Sequence, residues 1–286
     1  METKRIFEVM DNMNDSYLLP SIQREFVWDT NDIIDLFDSL LRNYPIGALL
    51  QWNLSADDAA VQPMYQFVTH YISEANFPQS LTTPTYRNPP YDSENPLPSP
   101  IKLVLDGQQR LTALNIGLQG SFYERKHNHP SNKASSWDQK RLYLNILSDP
   151  RSADSELGNK YDFSFRPEQS RTVDTYWYPV QRIMSIRSND DLYSERQKIK
   201  DEVRGLMSDA DDVDNPDTRI LNVERNLEDL HRAVHKDQKL HFFTEGRWCR
   251  SLHKEYGRTD LMCPASPSYR IMRRSNRFSK HWRPRR

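Results

Sequence analysis

The sequence predicts an α+β fold, and three patterns carry that prediction. An apolar run over residues 101–105 is followed at once by Asp106-Gly107 and then by the helical-looking stretch 111–116, which reads as strand, turn and helix. Ile33, Ile34, Phe37, Leu40 and Leu41 share one helical face, with Asp32, Asp35 and Asp38 assigned to the other. Pro45-Ile46-Gly47 ends that helix, and residues 48–52 read as a strand. Further on, residues 141–147 alternate as a strand with 161–165 as the expected partner, ahead of two charged helical stretches, 189–208 and 217–235. The acidic segment 209–217 separates the two helices.

In chain order, residues 18–28 read as a polar turn ahead of the first long helix, with Phe26 and Trp28 supplying core contacts. Residues 78–100 carry seven prolines, too many for a helix or a central strand, and are expected to form an extended surface loop. His127-Asn128-His129 is a solvated loop, because a metal-dependent nuclease site needs its ligands dispersed over several elements. His231 and His235 stand four residues apart on a helix and could share a metal, but no third ligand is near, so an exposed helical face is expected.

Asp106-Gly107-Gln108-Gln109-Arg110 is the richest chemistry in the chain. At a strand-to-helix turn, the free N–H groups and the helix dipole favour an anion. Gly107 lets a ligand approach the main chain, and Arg110 offers a planar fork of donors to phosphate. Asp106 can hold Mg²⁺ or orient a water, and the Gln108 and Gln109 amides can align a nucleophilic water. On the pentapeptide alone, an ordinary Asp-Gly turn is the standing alternative.

Two blocks carry a resemblance. Leu18-Leu19-Pro20-Ser21-Ile22-Gln23-Arg24-Glu25-Phe26-Val27-Trp28, with its spacing to Pro45-Ile46-Gly47, and the DGQQRLTAL turn at 106–114 resemble the N-terminal domain of GmrSD-type, modification-dependent restriction endonucleases. Tyr176-Trp177-Tyr178-Pro179-Val180 is a weaker third block, and the resemblance runs from about residue 5 to about 245. It implies a ParB/sulfiredoxin-like N-terminal domain over 1–120 with a mainly helical second part that includes strands over 121–246. The stretch 107–113 also resembles the Gly-x-x-Arg-x-x-Ala phosphate motif of ParB-type nucleotide binders. The implied activity is hydrolysis of a nucleoside triphosphate with Mg²⁺, with Asp106, Gln108, Gln109 and Arg110 catalytic. Gln23, Arg24, Gly107 and Arg110 would bind the nucleotide. Many relatives have an aromatic where this chain has Ile22, which leaves sensing of modified DNA an open question.

The sequence has 39 basic and 40 acidic residues, but they are unevenly placed. Residues 247–286 hold ten Arg and two Lys against Glu255 and Asp260, leaving 27 basic and 38 acidic residues in 1–246. This basic tail, with Tyr269, Phe278 and Trp282 interleaved, reads either as a nucleic-acid-binding segment or as a non-native end left by a shifted reading frame. The abrupt change of composition at Gly246-Arg247 and the loss of the family pattern there favour the second reading.

Hydrophobic residues make up 36% of the chain and mean hydropathy is −0.86, which implies polar insertions around a modest core. The absence of a long apolar run or a signal-like N-terminus predicts a cytoplasmic protein with no membrane partner, and Cys249 and Cys263 are expected to be reduced. No Walker-type Gly-Lys-Ser/Thr turn is present, so nucleotide chemistry by that route is not expected. The expected function is the nucleotide-hydrolysing, DNA-sensing part of a defence system, acting with a separate nuclease subunit and open to homo-oligomerisation. Two alternatives stand beside it: a nucleotide-switched DNA-binding module without turnover, and a truncated, inactive remnant.

Overall fold

The computed structural model describes residues 1–21, 24–55, 62–91, 100–151, 158–208 and 215–245. The last expected region, 247–286, lies outside them, as do Ile22, Gln23, both cysteines, Pro96 and Pro98, and most of the acidic 209–217 segment.

The elements, in chain order, are β1 (Glu2–Lys4), α1 (Ile6–Met10), β2 (Tyr17–Pro20), α2 (Thr30–Leu41), β3 (Ala48–Leu54), β4 (Met64–Tyr65), β5 (His70–Ile72), β6 (Ile101–Asp106) and α3 (Gln108–Gln119). They continue as β7 (Ser121–Arg125), β8 (Trp137–Asn145), β9 (Phe163–Arg166), β10 (Trp177–Pro179), α4 (Asn189–Ser208), α5 (Pro216–His231) and β11 (Leu240–Glu245). The chain from Met1 to Glu245 forms one compact unit.

Two mixed sheets and the helices give the α+β class that the sequence predicted. The first sheet has the order β1-β11-β3-β6-β2-β4, with β11 parallel to β3, β6 antiparallel to β3, and β2 parallel to β6. The last strand of the described chain is thus inserted between β1 and β3, so this sheet draws on both ends of the unit. In the second sheet β8 is shared: its first half pairs with β7 and its second with β9 and β10. The expected pairing of 141–147 with 161–165 is realised there, with Leu142 opposite Phe165 and Leu144 opposite Phe163.

Residues 18–20, read as turn, form β2 instead. Leu18 and Leu19 are buried, and the missing Pro20 N–H is tolerated because Pro20 is the terminal residue of the strand. The proline-rich loop is pinned along two strands: Thr85 N donates to His70 O (2.8 Å), and Tyr91 N donates to Met64 O (2.9 Å).

Helix α2 starts at Thr30 because the Asp29 carboxylate accepts from Asn31 N (2.8 Å) and Asp32 N (3.0 Å), while Asp32 accepts from Asp29 N (3.1 Å). Its acidic face is not uniformly solvated as the periodicity implied. Asp38 is buried, and its carboxylate accepts from Lys160 N (2.8 Å), Tyr161 N (2.9 Å) and Arg42 Nη1 (3.2 Å). Two main-chain donors and a guanidinium repay the desolvation of that charge and tie α2 to the bend leading into β9.

Helix α3 is buried on every side over residues 111–118, which explains why it shows no amphipathic stripe. It lies against α2 so closely that a Cβ on Gly117 would stand 2.5 Å from the Phe37 ring. Helix α4 packs on α5 through the Lys200–Glu224 and Arg196–Glu228 ion pairs. Asn226 of α5 donates from Nδ2 to Ile146 O and Ser148 O (2.9 Å each), holding the end of β8.

Candidate functional site

The Asp106–Arg110 turn sits where β6 meets α3, at the C-terminal end of an inner strand of the first sheet. Gly107 is the residue before the helix and adopts φ +89°, a left-handed conformation that other residues enter at a cost. A Cβ there would also stand 2.0 Å from Leu49 Cδ2, a second reason for glycine. Asp106 Oδ1 accepts from Gly107 N (2.8 Å) and the residue is otherwise exposed. The first-turn N–H groups of Gln108, Gln109 and Arg110 have no acceptor within their own helix.

The other side chains of the motif reach back to main chain. Gln108 Nε2 donates to Val104 O (2.9 Å). Gln109 holds the segment before α2 from both sides: its Nε2 donates to Glu25 O (2.9 Å) and its Oε1 accepts from Val27 N (3.0 Å). Arg110 donates from Nη1 to Ile46 O (2.5 Å) and from Nη2 to Ala48 O (2.8 Å), closing around Gly47, which has φ +84°. Burial pushes the Arg110 guanidinium down from its ordinary value and the Asp106 charge opposes this. The guanidinium therefore puts a charge behind the turn, with two of its five N–H groups already engaged.

The structure thus brings the two sequence-defined blocks together, with Gln109 as the physical link. Arg24 is exposed and makes no ion pair or hydrogen bond among the described residues, while its neighbour Glu25 pairs with Arg87 (2.9 Å). Gln23, the other expected nucleotide contact, lies outside the described residues. Phe26 and Trp28 pack on the core as expected; Phe26 meets Tyr71 edge-on at 4.9 Å, and Tyr71 Oη donates to Phe26 O (2.9 Å).

A feature that the sequence did not reveal is an open cleft of about 570 Å³ beside this segment, lined in part by Phe26, Trp28, Tyr71, Tyr86, Arg87 and Phe122. Its only advance signal was the Tyr86-Arg87 pair inside the proline-rich loop, where the guanidinium stands 5.0 Å from the ring centroid.

Among the described residues no group of three or more His, Cys, Asp or Glu side chains is placed to hold a metal ion. Asp106 retains an uncommitted Oδ2 on an exposed carboxylate. A lone carboxylate of that kind fits Mg²⁺ held mainly by nucleotide phosphates and water, rather than by an all-protein cage.

The expectation that His231 and His235 lie on an exposed face is corrected. Both are buried, their rings stack at 4.8 Å, and His235 also stacks on Phe7 at 4.6 Å. Their Nε2 atoms face Ile186 O (3.2 Å) and Ile183 O (2.8 Å), an arrangement that neutral rings satisfy by donating. Burial, with His235 adding to it, pushes His231 down to about 4; burial also lowers His235. Above pH ~6.5 both folded and unfolded chains carry neutral rings and the full stability is present. As pH falls through the window between there and about 4, the unfolded chain takes up a proton that folded His231 refuses, so stability is lost. Lowering pH from about 7.5 to about 5 should remove about 2 kcal/mol through His231, with His235 adding to the loss in the same direction. Urea unfolding at the two pH values measures it, and a His231→Gln/His235→Gln double variant should lose correspondingly less over the same interval.

No helix among the described residues is long and apolar enough to cross a membrane. A protein of uncharacterised function from Methanocaldococcus jannaschii is 33% identical over 127 residues, covering 44% of this chain and 19% of that protein. The chain thus matches about one fifth of its relative's length. The family model for the GmrSD restriction endonuclease N-terminal domain matches residues 6–243 and so spans both sheets, the Asp106–Arg110 turn and the segment that Gln109 holds. The chain belongs to the family of GmrSD restriction endonuclease N-terminal domains.

Proposed function

We propose that this chain binds and hydrolyses a nucleoside triphosphate at the Asp106–Arg110 turn and couples nucleotide occupancy to sensing of DNA within a restriction system, with cleavage left to a nuclease subunit that acts with it. In this reading the first sheet with α2 and α3 is the ParB/sulfiredoxin-like unit. The observation that carries it is the Gln109 clamp, which sets the Arg24 segment against the start of α3 although 84 residues separate Gln109 from Glu25.

Phosphates lie at the first-turn N–H groups of α3, where the helix dipole and the left-handed Gly107 allow close approach. Arg24, exposed and without a protein partner among the described residues, supplies the mobile positive charge, and Gln23 adds a hydrogen bond. Arg110 supplies the fixed charge from behind the turn. Asp106 orients water or holds Mg²⁺, which when bound neutralises phosphate charge. The same basic residues serve DNA backbone contacts if the nucleotide leaves room for them.

A second reading, a nucleotide switch without appreciable turnover, is favoured by one observation. Both amide atoms of Gln109 and the Nε2 of Gln108 are engaged with main chain, so Gln109 does not stand ready to align a water in this state.

Both readings expect binding. Titration of Mg²⁺-nucleotide by thermal shift should show stabilisation that falls in Arg24→Ala and in Gln109→Ala, each by the equivalent of about tenfold in affinity, or about 1.4 kcal/mol. No stabilisation by any of the four common nucleoside triphosphates would remove both readings.

A further inference from the structure

At the other end of β6 from the Asp106–Arg110 turn, two lysines converge on one tyrosine. A polar cavity of about 360 Å³ is lined by residues that include Lys4, Tyr17 and Lys102. Lys102 stands four residues before Asp106, roughly 13 Å away along the strand, so this cavity is distinct from the turn. Strands β1 and β2 are not neighbours in the sheet, yet Lys4 Nζ lies 5.8 Å and Lys102 Nζ 4.8 Å from the Tyr17 ring centroid. Lys102 Nζ also donates to Tyr17 Oη at 3.3 Å.

The charges in the cavity do not balance. Glu2 pairs with Lys4 at 3.0 Å. Glu8 is taken by Arg5, accepting from its main-chain N (3.0 Å), its Nε (3.0 Å) and its Nη2 (2.5 Å). Lys102 has no carboxylate partner among the described residues, and its nearest charged neighbour is the like-charged Lys4. Bringing two ammonium groups together without a second carboxylate is unfavourable unless something anionic joins them.

The geometry points to a second anion site in which a phosphate-type oxyanion is held between the Lys4 and Lys102 ammonium groups and the Tyr17 hydroxyl. Tyr17 Oη accepts from Lys102, which leaves its proton to donate to the anion. The cavity has more than enough room for a tetrahedral oxyanion, whether as free phosphate, a nucleotide phosphate or one phosphate of a DNA backbone, and the two ammonium groups fix where it sits. The arrangement also accounts for the state of Lys102 without an anion: burial first, then Lys4, lowers it to about 8. Burial raises Tyr17, which therefore remains a hydroxyl donor near neutral pH.

The test follows the Lys102 side chain itself, through the ¹³Cε resonance of the full-length labelled protein identified by its loss in Lys102→Gln. The titration is run in sodium phosphate, in sodium chloride of matched ionic strength, and with a short DNA duplex. An anion in the cavity should raise the Lys102 midpoint by about one unit relative to chloride. In Lys4→Gln the midpoint should already be higher in chloride and the anion-dependent rise smaller. A rise with phosphate alone supports a site for small phosphates, and a rise with duplex alone supports a backbone phosphate of DNA. The response should persist in Arg24→Ala, which separates this cavity from the nucleotide site. A midpoint equal in chloride, phosphate and duplex overturns the proposal. So does a phosphate response that is unchanged in Lys4→Gln; if Lys102→Gln does not fold, loss of the resonance in Lys102→Arg supplies the assignment.

Discussion

Replacing Gly120 with alanine is expected to lower the stability of the protein by about 3 kcal/mol or more. Gly120 joins α3 to β7, and its backbone angles are ones that any residue can adopt (φ −117°, ψ −152°). Conformational freedom is therefore not the reason for glycine here. The reason is space: an added Cβ would stand 1.7 Å from Thr69 O and 2.7 Å from Thr69 C, both main-chain atoms. Relief would require β5 to move away from β7, breaking the Ser121 N to Thr69 O bond (3.0 Å) and the parallel pairing that begins at His70 and Ser121. Denaturant unfolding of Gly120→Ala measures the loss; a change below about 1 kcal/mol would mean that the two strands are not packed this closely.

Arg110→Lys should be nearly as disruptive although it keeps the charge. The guanidinium fork reaches two carbonyls at once, Ile46 O and Ala48 O, one on each side of the left-handed Gly47. A lysine has one nitrogen at the end of a flexible stem and cannot span both with the same geometry. The half-buried Ile46 carbonyl then loses its partner, at a cost of about 2 kcal/mol, while water replaces the donor at the exposed Ala48 carbonyl. The Gly47 turn leads into β3, which pairs with the strand that ends in Asp106, so the loss should extend to the site: nucleotide-dependent stabilisation should fall along with basal stability. If Arg110→Lys kept wild-type stability and lost only the nucleotide response, Arg110 would be a direct phosphate ligand rather than the brace that its contacts describe.

The elements that the sequence disclosed are those with local signals. The strand-turn-helix at 101–119 was legible because an apolar run, an Asp-Gly pair and a second apolar stretch follow one another directly. Helix α2 was legible from its apolar period. What stayed hidden depends on partners distant in the chain. Asp38 looked like its solvated neighbours because the amides that bury it, those of Lys160 and Tyr161, lie more than 120 residues away. The histidines looked exposed because helical spacing does not say which face another element will cover, and here Phe7 and the carbonyls of residues 183 and 186 cover it.

The candidate site divides in the same way. Residue types at 106–110 marked the turn as chemically unusual, and the family resemblance, matched over 6–243, singled out Arg24 as well. The acceptors of Gln109 and Arg110 are main-chain carbonyls, which exist at every position and leave no trace in a sequence. The bracing role of these two side chains therefore emerged only from the fold.

The most direct test of the central claim is phosphate release from ATP, GTP, CTP and UTP with Mg²⁺, with and without DNA, comparing this chain with Asp106→Ala. Asp106 is exposed and its side-chain hydrogen bond is to the adjacent main chain, so the variant should fold normally. The account predicts turnover of at least one nucleotide that Asp106→Ala reduces by about a hundredfold or more. Turnover equal in the two proteins would place the reaction elsewhere. Absence of turnover for all four nucleotides, with or without DNA, would contradict hydrolysis and leave the nucleotide switch as the function of the turn.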